Sequence, residues 1–312
     1  MHLTPARTAA RAAAISGALV LGLAGSATAA MASPGDPPVL CNVGDLIGAL
    51  INVPSGGTLT LADDCTYYLE ESLVDTKGYL TIIGNGSTLE GGGPHSGFAI
   101  LGVPRGKHLT LDGVSFAGGS GPDGGAISNA GHLTVNGGVF SDNSARYGGA
   151  IDSGGYHSSL TIRHAVFNRN SASVEGGAVA VDSATTIIGA IFSHNSSHEG
   201  GAFYTDAYPA TVKHTSFLGN VAYEGGAIRN DADLTLTDVS GLRGSGNTFS
   251  GNRADRGGAI YNHDSATIDD SLIMSNRAQR GGGLYNDCEA AYTLSGTTFY
   301  KNVTDNIYVR GC

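Results

Sequence analysis

The stretch Phe140–Asp152 reads FSDNSARYGGAID: a phenylalanine, then an asparagine, a few polar residues and a Gly-Gly-Ala-Ile segment. The same order of residues returns along most of the chain. Its Gly-Gly pairs begin at positions 124, 148, 176, 200, 225, 257 and 281, at intervals of 24, 28, 24, 25, 32 and 24 residues. A fixed period in the twenties is typical of a stacked-repeat fold.

Each repeat also contains a short segment in which apolar residues alternate with threonine. This alternation predicts β-strands with apolar side chains inside and threonines outside. The inward residues are Val135, Ile162, Ile187, Val212 and Leu236, and the outward ones are Thr134, Thr161, Thr186, Thr211 and Thr235. Apart from Val43–Asn52, no segment after the amino-terminal region has long helical periodicity. We therefore expect an all-β, single-stranded parallel β-helix (solenoid) of about ten coils, with one short amino-terminal capping helix.

Coils of nearly constant length place equivalent residues above one another. We expect the phenylalanines to stack inside and the asparagines to form an amide ladder that satisfies backbone groups at a turn. The Gly-Gly pairs supply the unusual backbone angles of a second turn. The asparagines are Asn143, Asn170, Asn195, Asn220, Asn252, Asn276 and Asn302.

The combination of GGAI and FxxN resembles the repeat of the chlamydial polymorphic outer membrane proteins. These belong to the broader pectin-lyase-like superfamily of right-handed parallel β-helices. The resemblance covers about residues 109–302. It implies a right-handed coil and suggests binding at a cell surface.

Residues 1–32 have the features of a secretory signal peptide: a basic start, an apolar core and small residues at its end. We expect residues 33–312 to form the parallel β-helix domain of a secreted, extracellular protein without membrane insertion. Loss of Arg7 and Arg11 with the signal changes the formal net charge from −10 to −12. Such an acidic protein is a poor nucleic-acid binder, and we expect no nucleic-acid partner and a monomer.

The four cysteines form two pairs near the ends of the chain. Cys41 and Cys65 are separated by 24 residues, as are Cys288 and Cys312, and this separation equals one coil. Residues one coil apart have Cα atoms close enough for a disulfide. We therefore predict the bonds Cys41–Cys65 and Cys288–Cys312, which would protect the open ends of a solenoid. Free buried thiols or a zinc site are the alternatives.

The residue before each Gly-Gly pair forms the first candidate site. Glu175, Glu199 and Glu224 occupy this position in three successive repeats. Stacked like charges are unfavourable, so they favour a catalytic acid/base pair, as in glycosidases. The alternative is that these residues are turn glutamates exposed to water.

A second column contains Asp182, Asp206, Asp231 and Asp287, with His263 in the same position. Related β-helix lyases hold calcium with aspartates on their coils, so Ca²⁺ is one hypothesis. Turn-capping aspartates explain a regular column equally well. We predict no metal site and no cofactor, with Ca²⁺ as the alternative.

Tyrosines and histidines supply the third candidate site. Tyr204, Tyr261 and Tyr285 share one column with Arg229, while Tyr147 precedes a Gly-Gly pair. Exposed tyrosines in a row suit sugar rings or an apolar ligand, although tyrosine also simply favours strands. His164 and His214 share another column and are further catalytic candidates. The longer repeats place loops at Asp152–Ser159 and Gly241–Asn247 that are long enough to wall a cleft.

These features leave two functions open. The first is a secreted protein that binds a glycan or another extracellular ligand on an exposed face rich in tyrosine and glutamate. The second is a cofactor-free enzyme. It would be a polysaccharide hydrolase or lyase, or a cyclase or isomerase acting on an apolar small molecule in a cleft. A purely structural role in a cell wall or coat is the remaining alternative.

Overall fold

A computed structural model describes residues 38–75, 77–93, 96–238 and 246–312. The predicted signal peptide, residues 1–32, lies outside this part of the chain. The described residues form one helix, α1, and strands β1 to β30. In chain order they are α1 Val43–Asn52, β1 Gly57–Thr60, β2 Thr66–Tyr68, β3 Leu73–Val74, β4 Tyr79–Ile83, β5 Thr88–Glu90, β6 Leu101–Val103, β7 His108–Asp112, β8 Ser115–Ala117, β9 Ile127–Asn129, β10 His132–Asn136, β11 Val139–Ser141, β12 Ser144–Tyr147, β13 Ile151–Arg163, β14 Val166–Asn168, β15 Ser171–Glu175, β16 Val179–Ile188, β17 Ile191–Ser193, β18 Phe203–Asp206, β19 Ala210–Lys213, β20 Ser216–Leu218, β21 Ile228–Asp231, β22 Asp233–Thr237, β23 Thr248–Ser250, β24 Ile260–Asn262, β25 Ser265–Asp269, β26 Leu272–Met274, β27 Leu284–Asn286, β28 Ala291–Ser295, β29 Thr298–Tyr300 and β30 Ile307–Val309.

The strands form a parallel β-solenoid, as the repeat predicts. In most coils one or two strands join an 18-stranded sheet, and one short strand joins a 10-stranded sheet. Strands β12 and β15 form a small third sheet, which isolated bridges continue along the same side of the solenoid. Each strand pairs in parallel with the equivalent strand one coil away. The ten strands of the second sheet correspond to about ten coils.

The core consists of columns of identical or similar side chains. The predicted inward residues, such as Val135 and Leu236, have no exposed surface. Phenylalanines stack from coil to coil, with ring centroids 4.7 Å apart between Phe167 and Phe192 and 5.0 Å apart between Phe192 and Phe217. The outward threonines are half-buried. The alternation read from the sequence is therefore confirmed.

The asparagine ladder is also confirmed. Oδ1 of Asn220 accepts hydrogen bonds from the backbone N–H of Asn195, at 2.9 Å, and from its side-chain Nδ2, at 3.0 Å. Nδ2 of Asn220 donates to the carbonyl oxygen of Phe192, at 3.0 Å. This pattern recurs from Asn143 to Asn302. The side-chain amides thus pair with backbone N–H and carbonyl groups at a turn, where these groups are not part of a sheet.

The capping helix and the two disulfide bonds are present, as expected. Helix α1 begins after Asn42, whose side chain accepts a hydrogen bond from the backbone N–H of Asp45. It buries Leu46 against the first coil. Cys41–Cys65 and Cys288–Cys312 are disulfide bonds, with Cα–Cα distances of 5.7 and 5.3 Å. Within the described residues, no helix is long and apolar enough to cross a bilayer.

Candidate functional site

The glutamates that precede the Gly-Gly pairs form a column, as predicted. Backbone bridges pair Glu175 with Glu199 and Glu199 with Glu224, and Arg256 and Arg280 continue the column. None of the three glutamates extends freely into water. Glu175 has no exposed surface, and the side chains of Glu199 and Glu224 are 23% and 12% exposed. Neighbouring side chains therefore cover most of the surface of these three glutamates.

Tyr204, Arg229, Tyr261 and Tyr285 are in one column, but the predicted exposure of the tyrosines is wrong. The register pairs Tyr204 with Arg229, Arg229 with Tyr261, and Tyr261 with Tyr285. The three tyrosines are at most 3% exposed. The rings of Tyr261 and Tyr285 stack at 4.7 Å, and the guanidinium of Arg229 lies 4.1 Å from the Tyr261 ring centroid. Their ring faces are thus used within the protein and do not present a platform for a sugar.

Tyr147 belongs to the glutamate column, next to Glu175. Its side chain is half-buried, and the guanidinium of Arg146 lies 5.0 Å from its ring centroid. It is therefore separate from the stacked tyrosines.

An ion-pair network joins the two columns. Arg229 pairs with Glu224 and, at 2.6 Å, with Asp231, while Nη1 of Arg256 lies 2.9 Å from Oε1 of Glu224. The hydroxyl of Tyr204 donates to Asp231 at 3.0 Å. Burial acts to lower the pKa of Arg229, but Asp231, Glu224 and Glu199 outweigh it and raise this pKa above its ordinary value. The network holds Arg229 charged beneath the surface.

The aspartate column is present, and two of its members have evident structural roles. Asp231 receives Arg229 and Tyr204, and Asp287 receives Tyr261, His263 and Arg310. Among the described residues, three potential metal-ligand atoms come together only at Cys288, Glu289 and Cys312, where the disulfide uses both sulfurs. Calcium binding by the aspartates stays a hypothesis.

Three buried carboxyl side chains lie where the repeat becomes irregular. Asp152, Glu175 and Asp182 are 5%, 0% and 8% exposed. The turn that ends in Glu175 has one residue more than the turn before it, and the pairing of β12 with β15 shifts there. Asp152 is paired with Ala180 in the next coil. Ala180 belongs to the same column as Tyr204, one coil further on, and Arg229, two coils further on. A small residue thus stands where the next two coils have a tyrosine and an arginine, and bulges of this kind are frequent beside active sites.

Of the two loops predicted to wall a cleft, the structure describes the first in full and the second only in part. Asp152–Ser159 lies within β13, where the register shifts between Gly154 and Ser159, and its Tyr156 is 66% exposed. Of Gly241–Asn247, residues 241–245 lie outside the described part. Asn247 is buried and supports the turn at Thr215 instead.

His164 and His214 are not brought to the glutamates. They follow β13 and β19, at the turn that leads into the 10-stranded sheet, whereas the glutamates precede the Gly-Gly pairs at the other end of these strands. The two histidines are two coils apart, with Gly189 between them, and the ring of His164 lies against that glycine. Nε2 of His214 is 3.3 Å from Oδ1 of Asp238. The structure thus separates the two groups of catalytic candidates.

An open groove that the sequence patterns did not identify runs across the last coils, on the side of the solenoid that carries β12 and β15. Its volume is about 600 Å³. Its lining residues are Val221, Ala222, Tyr223, Arg253, Ala254, Asp255, Arg277, Ala278, Gln279, Val303 and Thr304. The alanines lie between residues with longer side chains and form the floor; Ala278 is buried, and Ala222 and Ala254 are half-buried. This set of residues is called the alanine groove below.

The two walls of the alanine groove differ in chemistry. Arg253 and Arg277 stand on one wall in adjacent coils, and Asp255 and Gln279 stand on the other. The side-chain amide of Gln279 donates to Asp255. Tyr223, 42% exposed, stacks on His198 at 5.1 Å near one end. Two similar heptapeptides supply most of these wall and floor residues: NRADRGG at residues 252–258 and NRAQRGG at residues 276–282. Their recurrence one coil apart was the sequence signal that could have predicted the groove.

Comparison with known proteins gives one short match. Residues 248–263 match the Chlamydia polymorphic membrane protein (Chlamydia_PMP) repeat, and this segment covers β23 and the coil up to β24. Neither curated proteins nor solved structures give a significant match. The chain thus contains at least one segment similar to the Chlamydia_PMP repeat, within a parallel β-solenoid.

Proposed function

We propose that this protein is a secreted β-solenoid that binds an extracellular glycan in the alanine groove. The single observation that carries the proposal is the groove itself. It is an open channel of about 600 Å³, within the size range of small-ligand sites, with polar walls and a floor of small residues. The binding surface expected from the sequence, an exposed face of tyrosine and glutamate, is replaced by this neighbouring surface.

The lining chemistry suits a carbohydrate. Arginine, aspartate and glutamine side chains offer both donors and acceptors to hydroxyl groups. Tyr223 stands at one end with its ring against His198 and the Arg256 guanidinium, so its exposed ring edge and hydroxyl are the parts that can meet a sugar. The alanine floor lets a ring approach the backbone closely. The groove also crosses four consecutive coils, about 14 Å, so a short stretch of a linear polymer fits along it.

Export is part of the proposal. The two disulfides are typical of a protein that folds in an oxidising compartment outside the cytosol. The basic, apolar and small-residue segments of residues 1–32 are those of a signal peptide. The coil architecture also agrees with the pectin-lyase-like resemblance, in which glycans are the usual substrates.

The test is a glycan-array screen followed by titration calorimetry on the purified protein. Ala254→Trp fills the floor of the groove, and Thr235→Trp places the same ring on an outward position of β22. We expect Ala254→Trp to weaken binding at least tenfold and Thr235→Trp to leave it unchanged. Equal affinity of all three proteins for the bound glycan would contradict the location of the site. No glycan binding by the wild-type protein would contradict the function.

Glycoside hydrolysis is the second candidate, favoured by the buried Asp152, Glu175 and Asp182 at the irregular coil. Burial of carboxyl groups is costly and is frequent at catalytic sites. The partly exposed Glu199 next to Glu175 would reach a substrate most easily. If the protein cleaves any member of a glycan panel, Glu199→Gln should reduce kcat at least 100-fold, by loss of an acid or base. Unchanged kcat in Glu199→Gln would exclude this residue from the mechanism.

A further inference from the structure

We propose that the alanine groove selects glycans that carry sulfate or phosphate esters, with Arg253 and Arg277 as a shared clamp for one ester group. This inference rests on the proposed glycan-binding function and adds the chemical class of the ligand. The protein as a whole is acidic, with a formal net charge of −10, so the attraction for the ester must be local to the two arginines.

Arg253 and Arg277 are direct neighbours in adjacent coils. A backbone bridge pairs them, so their Cα atoms are about 4.8 Å apart. Both side chains are exposed, and neither forms an ion pair with any residue in the described part of the chain. Arg256, only three residues from Arg253, pairs with Glu224 and contacts Tyr223. Like charges stacked directly on neighbouring strands are unfavourable, and a bound anion removes that cost.

The geometry favours a tetrahedral oxyanion over a carboxylate. Each guanidinium presents a planar fork of donors, and a carboxylate shared by two arginines offers each of them only one of its two oxygens, as Glu224 does with Arg229 and Arg256. A sulfate or phosphate monoester has three terminal oxygens that accept hydrogen bonds. It can therefore bind both Arg253 and Arg277 at once, with charge-assisted bonds to each.

The rest of the groove sets which anions fit. The carboxylate of Asp255 lies on the opposite wall, where Gln279 donates to it, so the negative ester is directed to the arginine wall. The neutral floor of Ala254 and Ala278 accommodates the sugar ring that carries the ester. Beyond Asp255 and Gln279, an adjoining pocket of about 170 Å³ is lined by Arg256 and Arg280, the second column of arginines in the same coils. A polymer with regularly spaced esters thus meets positive charge in both columns.

The experiment compares matched probes by titration calorimetry at 50 and 300 mM salt. The probes are a dextran sulfate oligosaccharide, the same oligosaccharide without sulfate, a galacturonate oligomer of equal length and linear polyphosphate. We expect the sulfated oligosaccharide to bind at least tenfold more tightly than the other two oligosaccharides. We expect the double variant Arg253→Gln/Arg277→Gln to abolish this preference. Its matched control, Arg105→Gln/Arg163→Gln, removes the same charge elsewhere and should retain the preference.

The outcomes separate the two proposals. Equal binding of galacturonate and sulfated oligomers overturns the ester selectivity. Loss of preference in both double variants also overturns it, because the effect is then general electrostatic attraction. A neutral glycan could also bind in the groove, with binding blocked by Ala254→Trp and unaffected by Arg253→Gln/Arg277→Gln. That result would overturn the arginine clamp and support the proposed glycan site. Binding of polyphosphate without any glycan overturns the glycan function and supports the oxyanion clamp.

Discussion

Asp287 illustrates how single polar residues stabilise the outer side of this solenoid. Its carboxylate accepts hydrogen bonds from the Tyr261 hydroxyl at 2.8 Å and from the backbone N–H of Cys288 at 2.8 Å, and it pairs with His263 and Arg310. Burial raises the pKa of Asp287, but these four donors together outweigh burial and lower the pKa to about 2. Burial and the hydrogen bond to Asp287 raise the pKa of Tyr261. These shifts favour an ionised Asp287 that accepts a hydrogen bond from a neutral Tyr261.

This pKa gives a prediction about stability in acid. Because the folded pKa of Asp287 is below its unfolded value near 3.9, its contribution is present above about pH 4 and is lost as the pH falls towards 2. Tyr261→Phe removes one donor, so the contribution at pH 7 should fall by about 1 kcal/mol, and less stability should be lost between pH 5 and pH 2. Urea denaturation at pH 7, 5, 3 and 2 measures both quantities. Tyr285→Phe is the control, since its hydroxyl has no hydrogen bond within the described residues. Identical pH profiles for the two variants would contradict the role of the Tyr261 hydroxyl.

At the scale of the structural element, the turn before strands β9, β13, β16, β18, β21, β24 and β27 of the 18-stranded sheet depends on glycine. Gly225 has a φ angle of +66°, and a Cβ atom on it would lie 2.1 Å from the carbonyl oxygen of Ile228. The chain therefore doubles back so tightly that no side chain fits. Gly106 has a similar φ angle of +72°, but a Cβ atom there would have no neighbour within 4 Å. The two glycines separate the effect of the backbone angle from the effect of crowding.

We predict that Gly106→Ala costs about 1–2 kcal/mol, the usual cost of a left-handed conformation for a residue with a Cβ atom. Gly225→Ala should cost at least about 2 kcal/mol more, because the turn must also open and break the stacking of adjacent coils. Urea denaturation of the two variants measures the difference, and circular dichroism verifies that each retains β-structure. A Gly225→Ala variant as stable as Gly106→Ala would show that the turn relaxes easily.

The sequence predicts the columns and the burial of the core well, but it predicts burial on the outer side of the solenoid poorly. Repeat spacing decides which residues lie above one another, so the ladder of Asn220 and the column of Tyr261 were predictable. Burial on the outer side depends on the neighbours of each column. Tyr261 is covered because Arg229 and Tyr285 pack on its two faces. The alanine groove exists because Ala254 is short where its neighbours are long, a contrast across columns that the repeat alone does not reveal.

At the scale of the whole molecule, each coil contacts its neighbours, and the stability of such a fold is close to a sum over adjacent coils. The end coils have a neighbour on one side only. Strand β30 closes the 18-stranded sheet at the carboxyl end, where its pairing with β27 and the backbone bond from Leu284 to Asn306 hold the last coil. The Cys288–Cys312 bond ties this coil to the one before it, as Cys41–Cys65 does at the amino end. The alanine groove includes Val303 and Thr304 of the last coil, so order at this end also shapes the proposed binding surface.

We predict that removal of one disulfide opens the nearest coils and leaves the centre closed. The bond between Cys288 and Cys312 spans 24 residues, and loss of such a loop constraint costs about 3 kcal/mol. In Cys288→Ser/Cys312→Ser, amides of β28, β29 and β30 should therefore exchange with solvent at least tenfold faster, while amides of β17 and β20 keep their wild-type rates. Hydrogen–deuterium exchange measured by mass spectrometry resolves these segments.

The reciprocal variant, Cys41→Ser/Cys65→Ser, should accelerate exchange in β1 and β2 and spare β30, because the effect of each bond is confined to its own end. Uniform acceleration along the chain in either variant would mean that the solenoid opens as one cooperative unit, and that coil-by-coil additivity does not hold for this protein.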